Sequence, residues 1–267
     1  MNLSYVHGYS EREARRLEDQ AATLAELLHS DSIFPDGDRV LEAGCGVGSQ
    51  TMLIARMNPA TSFTAIDISE DSLRQAERDF SQLDLANVRF QKADVFSLPF
   101  DENAFDHVFA CYLLEHLRRP EEALHNLARV LRPGGTITVI EGDHGSVYFH
   151  PDSEEARMAI QCQIILQAEA GGNALIGREL YPLLVRAGYR NVTVSPRMVY
   201  VDDSKPALVD GFTINTFTTM IEGVKGAALE RRLIDAATFD KGIRDLYRTA
   251  EPGGTFCYTF FKAKAIK

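Results

Sequence analysis

Val40-Leu41-Glu42-Ala43-Gly44-Cys45-Gly46-Val47-Gly48-Ser49-Gln50 decides how the rest of this 267-residue chain is read. A short apolar run passes directly into three alternating glycines and then into residues that suit a helix start. This pattern predicts a buried strand, a tight turn and a helix, the arrangement by which an α/β sheet brings a ligand against bare backbone at the carboxyl end of its first strand. The spacing narrows the choice of ligand. A dinucleotide turn has the order G-x-G-x-x-G, whereas here an acid precedes three evenly spaced glycines, Glu42-x-Gly44-x-Gly46-x-Gly48.

Downstream of the turn, the pattern alternates strands and helices. A helix over Gln50 to Met57 is stopped by Asn58-Pro59, and Ser62 to Asp67 forms a second strand. Asp67 lies 19 positions beyond Gly48, the separation at which a doubly wound fold sets an acid on a ribose. Ser69, followed by Glu70 and Asp71, caps a helix to about Leu83, since first-turn acids match the helix dipole. Val88 to Ala93 and Phe105 to Ala110 are the third and fourth strands. A helical turn over Leu113 to Leu117 follows, then a helix opened by Pro120 and closed by Gly134-Gly135. Thr136 to Ile140 is the fifth strand, running into Glu141, Asp143 and His144. Strands alternating with helices at this spacing make a parallel sheet.

Beyond Gly142 the regular alternation breaks. Asp152-x-x-Glu155 caps a helix to about Ala170 with so little polar face that it must be covered on more than one side. Helices are expected over Gly177 to Ala187, Pro206 to Val224 and Ala227 to about Tyr247. Strands are expected over Val192 to Ser195, extending toward Val201, and over Thr255 to Lys262. Upstream, the capping box Ser10-x-x-Glu13 with Ala14, Leu17, Ala21, Leu24 and Leu28 on one face predicts an N-terminal helix.

Composition sets limits on function. The chain is 45% hydrophobic and 25% charged, ordinary for a globular protein, and long enough to bury a sizeable core. A net charge of -10, without any cluster of Lys and Arg among aromatics, argues against a nucleic-acid substrate. Neither a signal-peptide pattern nor an apolar run long enough to span a membrane is present, so a cytoplasmic protein is expected. Cys45, Cys111, Cys162 and Cys257 lack metal-site spacing, and neither a metal nor a disulfide is expected.

Taken together, these motifs resemble those of the class I S-adenosylmethionine-dependent methyltransferases, most closely the small-molecule group of the ubiquinone and menaquinone biosynthesis type (type 11). The resemblance rests on Val40 to Gly48, Ile66-Asp67-Ile68-Ser69, Lys92-Ala93-Asp94-Val95 with Leu98-Pro99-Phe100, Phe105-Asp106-His107-Val108 with Leu114-Glu115-His116-Leu117, and Leu131-Arg132-Pro133-Gly134-Gly135. It implies an α/β fold with a seven-stranded Rossmann-like sheet, strands one to six parallel and the seventh antiparallel, helices on both faces and helical cap insertions. It also implies S-adenosylmethionine as cofactor and methyl transfer by in-line displacement. One methyltransferase domain over 1–267 is expected, with a possible lid at 1–30, a cofactor-binding core at 38–142, and insertions at 143–188 and 202–252 serving a cap or acceptor site. The expected partner is a small-molecule acceptor, with a monomer or homodimer as the assembly.

Such a ligand needs bare backbone at its amino-acid tail, an acid at its ribose hydroxyls and a polar pair at its base edge. Gly44, Gly46 and Gly48 meet the first need, Asp67 beside Ile68 the second, and Asp94 with Val95 the third. Glu42 would organise the turn and hold the ammonium, and Cys111 would face the methionine part. Tyr5, His7 and Tyr9 are candidates for a lid, with Arg16 or Gln20 reaching the ligand's carboxylate. If the acceptor loses a proton, Glu141, Asp143 and His144 are the candidate bases. Gln167, Arg197 and Tyr200 are candidate acceptor contacts. Two other readings stay open at this stage: a non-catalytic S-adenosylmethionine-binding or regulatory protein, and a nucleotide-dependent oxidoreductase, which the glycine spacing disfavours.

Overall fold

Runs too short and too apolar for surface helices become buried strands. In the computed structural model, which describes residues 21, 23–83 and 85–267, Val40, Leu41 and Ala43 lose all exposure in β1 (Arg39–Ala43). β1 lies between β2 (Ser62–Asp67) and β4 (Phe105–Cys111), parallel to both, with Leu41 opposite Thr64 on one side and Val108 on the other. β3 (Val88–Lys92) extends the sheet beyond β2. With β5 (Leu131–His150), β6 (Arg190–Val201) and β7 (Thr255–Ile266), the order is β3-β2-β1-β4-β5-β7-β6. Six strands are parallel and β7 is antiparallel. Among the described residues, no helix is long and apolar enough to cross a membrane.

The chain divides into two compact units. The core unit comprises Ala25–Glu141, Ile176–Pro196 and Phe261–Lys267. It holds most of α1 (residues 23–29), α2 (Ser49–Met57), α3 (Glu70–Phe80), α4 (Pro120–Val130) and α6 (Leu180–Arg186). Ser69 caps α3 as expected, its side chain accepting the Ser72 N–H. Leu124 and Leu127 of α4 pack with Leu180 and Leu184 of α6 in a core that also takes in Leu41, Val108 and Ile137. Burial of these leucines makes the 3-10 turn Ile176–Glu179 and α6 part of the core unit, although both fall within the expected 143–188 insertion.

The second unit comprises Gly142–Leu175 and Arg197–Phe260, with the described residues up to Leu24. It contains α5 (Glu154–Glu169), α7 (Pro206–Leu208), α8 (Thr219–Gly223), α9 (Lys225–Glu230) and α10 (Ala236–Arg248). α5 packs on α8, α9 and α10, which covers a helix with little polar face. Its cap is Ser153, whose hydroxyl accepts the Ala156 N–H, rather than Asp152.

Three expectations change in the second unit. β5 does not stop at Ile140. Val147 and Phe149 stay buried while Tyr148 and His150 are exposed, so the two-residue alternation of a strand continues to His150. Glu141, Asp143 and His144 are therefore strand residues, not members of a loop after the strand. The expected helix Pro206 to Val224 is mostly π-helical, over Val209–Thr218. Hydroxyls support this wider turn: Thr216 Oγ1 donates to the Gly211 carbonyl at 2.6 Å and Thr219 Oγ1 to that of Ile214 at 3.0 Å, each five residues back. The expected helix from Ala227 is split into α9 and α10, with Asp235 capping the second piece.

Candidate functional site

The glycine turn is built from the β1 end outward. Gly44, Gly46 and Gly48 have φ of 76°, 54° and 82°, the left-handed region that a side chain penalises. The turn is tied to β2, since the N–H groups of Gly44 and Cys45 both donate to the Ile66 carbonyl, at 2.8 and 2.9 Å. A Cβ on Gly48 would press on Ala76 and Phe80 of α3, whereas one on Gly46 would meet nothing within 4 Å. Gly46 is thus the open side of the turn, where a ligand can reach backbone.

Asp67 locks this geometry. Its Oδ2 accepts the Gly46 N–H and its Oδ1 the Ser69 N–H, both at 2.8 Å. Each carboxylate oxygen keeps a further lone pair, so both can still receive a ligand hydroxyl. Burial raises the Asp67 pKa, against the backbone N–H groups that lower it. Glu42 is buried beside it, and its Oε2 has no hydrogen-bond partner among the described residues. Burial pushes Glu42 up to about 7; the Asp67 charge adds to the shift and the Thr51 hydroxyl offsets part of it. A buried carboxyl with an idle oxygen costs free energy unless a donor or cation meets it.

At the next strand end, Asp94 folds its own turn, accepting the Phe96 N–H on Oδ1 at 2.9 Å while its carbonyl accepts the Ser97 N–H. Val95 is buried and Ile68 is half exposed, an apolar surface beside the two acids' turns. Cys111 is buried, and burial raises its thiol pKa well above the ordinary value. These residues fit an S-adenosylmethionine: backbone open at Gly46, a buried carboxyl with one oxygen left for an ammonium, and Asp67 for a diol. Among the described residues, no group of three or more His, Cys, Asp or Glu is placed to hold a metal ion. Tyr9, Arg16 and Gln20, the helix from Ser10 and the possible lid lie outside the described residues apart from the end of that helix.

Glu141 belongs to the core unit, whereas Asp143 and His144 belong to the second. Glu141 Oε1 accepts the N–H groups of Leu113 and Leu114, at 3.0 and 2.7 Å. Burial, then the neighbouring Glu115, raises the Glu141 pKa well above the usual carboxylate range. In the second unit, Asp143 is buried and its Oδ1 accepts the Gly145 N–H. His144 is buried, with Nδ1 3.1 Å from the Tyr258 hydroxyl and its ring near Phe217. A Cβ on Gly142 would collide with that hydroxyl, so glycine is what lets Tyr258 approach the strand.

The three candidate acceptor contacts do not share one surface. Gln167 is buried and accepts a hydrogen bond from Gln163 Nε2 at 3.0 Å. Arg197 is half-buried on the β6 face that carries Val199 and Val201. Tyr200 is 44% exposed on the opposite face with Met198, beside the Lys205 ammonium. Alternation along a strand forbids Arg197 and Tyr200 from lining the same pocket. Sequence reasoning overlooked Tyr258 and Gln163. The signal for Tyr258 was the alternation Phe256, Tyr258, Phe260, all buried in β7; a glutamine in an apolar helix offered none.

Fold and site together define a Rossmann-like protein built to bind a ligand at the carboxyl ends of its first strands. Residues 40–135 match the profile of the methyltransferase domain family. The 27-O-demethylrifamycin SV methyltransferase of Amycolatopsis mediterranei is 34% identical over 134 residues, 50% of this chain and 49% of that protein. Among solved structures, the cyclase SpnF covers 94% of this chain and 81% of its own, at 21% identity and a TM-score of 0.54. Phosphoethanolamine N-methyltransferase 2 of Haemonchus contortus, in complex with S-adenosylmethionine, covers 92% and 52%, at 15% identity and a TM-score of 0.57. The chain spans between 35% and 64% of the length of the first curated relatives it matches. The resemblance to S-adenosylmethionine-dependent methyltransferases is carried by residues 40–135.

Proposed function

We propose that this chain binds S-adenosylmethionine at the Glu42–Gly48 turn and transfers its methyl group to a small-molecule acceptor, as a cytoplasmic enzyme. The observation that carries the reading is the open glycine turn clamped by Asp67 beside the buried, unpartnered Glu42 oxygen. In this reading the bare backbone at Gly46 receives the amino-acid tail, Gly44 shapes the turn beneath Leu113, and Glu42 takes the ammonium. Asp67 accepts the ribose hydroxyls, and Ile68, Asp94 and Val95 receive the adenine. Cys111 borders the methionine part, and Tyr9, Arg16 and Gln20 contribute from the N-terminal arm. When bound, S-adenosylmethionine supplies a methyl carbon on a sulfonium, a leaving group that departs as a neutral thioether.

The chain's own work is to position the acceptor, exclude water and remove a proton where one is lost. His144 is assigned that proton. Its Nδ1 is oriented by Tyr258, and the buried Asp143 sits next to it in sequence. Gln167 and Arg197 are assigned to the acceptor.

The test is calorimetric titration with S-adenosylhomocysteine and, separately, with NADH, followed by incubation with methyl-tritiated S-adenosylmethionine and a panel of phenolic, enolic and amine acceptors. Homocysteine-ligand binding and label transfer are expected. Binding of NADH alone would overturn the reading, and tight ligand binding without label transfer to any acceptor would favour a binding or regulatory protein.

A further inference from the structure

The turn between β4 and the 3-10 segment Leu114–His116 carries a cost that something must offset. Tyr112 has φ of 56°, a left-handed conformation disfavoured for an aromatic residue. Its N–H donates to the Ile140 carbonyl at 2.9 Å, and the next two N–H groups both end on the Glu141 carboxyl. Two backbone donors on one buried oxygen over-determine the turn, the condition under which strained backbone persists. The turn in turn touches the glycine loop. A Cβ built on Gly44 would lie 2.8 Å from Leu113 Cδ1, so the Leu113 side chain fills the space over Gly44.

We propose that Glu141 is a positioning residue: through the Leu113 and Leu114 N–H groups it holds Leu113 against Gly44, and so shapes the loop that receives the cofactor's amino-acid end. This rests on the reading that S-adenosylmethionine binds at that loop. Glu141 then exchanges no proton with the acceptor. It is fully buried, and burial and Glu115 raise its pKa well above the usual carboxylate range, which favours the acid form over a carboxylate that could act as a base. The acid form still offers a carbonyl oxygen to both N–H groups, and a glutamine amide offers the same oxygen.

The test compares S-adenosylhomocysteine affinity by calorimetry, and KM for S-adenosylmethionine against kcat, in wild type, Glu141→Gln, Glu141→Leu and Leu113→Ala. Glu141→Leu is expected to weaken binding at least tenfold and to raise KM more than it lowers kcat. Glu141→Gln restores most of that loss. Leu113→Ala weakens binding severalfold with Glu141 intact, so the outcome does not depend on Glu141→Leu folding. Wild-type affinity in Leu113→Ala would overturn the proposal. So would a Glu141→Gln enzyme that binds normally but loses turnover a hundredfold, since that marks a proton-transfer group. Wild type that binds no S-adenosylhomocysteine removes the functional reading itself, a result seen before any variant is made.

Discussion

Glu42 converts a buried carboxyl into a pH dependence whose sign can be worked out. Burial, with Asp67 adding and Thr51 opposing, places it at about 7 against an ordinary 4.5. The folded state therefore binds this proton more tightly than the unfolded chain. The resulting stability is complete below about pH 4.5 and is lost as pH rises through about 7, on the order of 3 kcal/mol in all. Urea unfolding should show wild type losing stability relative to Glu42→Gln between pH 5 and pH 8; a difference independent of pH would refute this. If an ammonium meets Glu42, binding of S-adenosylhomocysteine near pH 6.5 should release a proton, read as a buffer-dependent enthalpy. Asp67→Asn tests the neighbouring acid. One amide NH2 must then face the Gly46 or Ser69 N–H, two donors with no acceptor. Affinity for S-adenosylhomocysteine should fall by about 1–3 kcal/mol, and an unchanged value would remove Asp67 from the site.

At the scale of elements, the C-terminal half of β7 is anchored by one buried lysine. Lys262 Nζ donates to the Leu28 carbonyl at 2.7 Å, to Asp31 at 2.6 Å and to Ser32 Oγ at 2.8 Å, joining the strand to the end of α1. All three ammonium donors are satisfied, which is why a lysine can be 1% exposed. Burial of Asp31 opposes its ionisation, but Lys262 and Lys264 outweigh that and hold its carboxyl well below the usual range. Lys262→Met should destabilise by about 2 kcal/mol, less than the ~3–5 of a fully buried pair, because Asp31 is 40% exposed and keeps Lys264. A lowered carboxyl pKa stabilises above the unfolded value and ceases to as pH falls through the folded one, so the penalty should hold above about pH 4 and shrink between about pH 4 and about pH 2. A penalty constant over that range would assign it to packing instead.

On the scale of the molecule, each unit is compact in itself, and the second contains one close helix crossing. α10 lies against the first turn of α5 at Gly242, where a Cβ would run into the Glu155 carbonyl. Lys241 bridges Glu155 and Asp245 beside it, at 2.8 and 2.7 Å, and Ser153 reaches Asp245 at 2.6 Å. Gly242→Val must push backbone rather than a flexible side chain, so a cost of roughly 1–3 kcal/mol or more is expected. Amide exchange over Glu154–Glu169 and Ala236–Arg248 should accelerate; unchanged protection there would mean that the crossing tolerates a larger gap.

The core unit was legible because local chemistry suffices for it. Positive-φ glycines, capping serines and short apolar strands act over a few residues, and their order alone implies a parallel sheet. β1, β2 and α2 accordingly stand within a residue of where their motifs put them. Chain-end pairing is different. The run of β5 through Gly142 to His150, the π-helical turn at Val209–Thr218 and the break at Asp235 depend on which faces become covered. Side-chain roles follow the same division. Gly44, Gly46, Gly48 and Asp67 announce themselves by spacing; in the fold the three glycines have positive φ and Asp67 accepts the Gly46 and Ser69 N–H groups. Glu141, an acid after a short apolar run, has the composition of a base, and only the folded chain shows that it is buried and accepts two backbone N–H groups. Arg197 and Tyr200 are three residues apart in sequence yet face opposite ways, because a strand turns alternate side chains to opposite faces and only the folded sheet settles that β6 reaches that far.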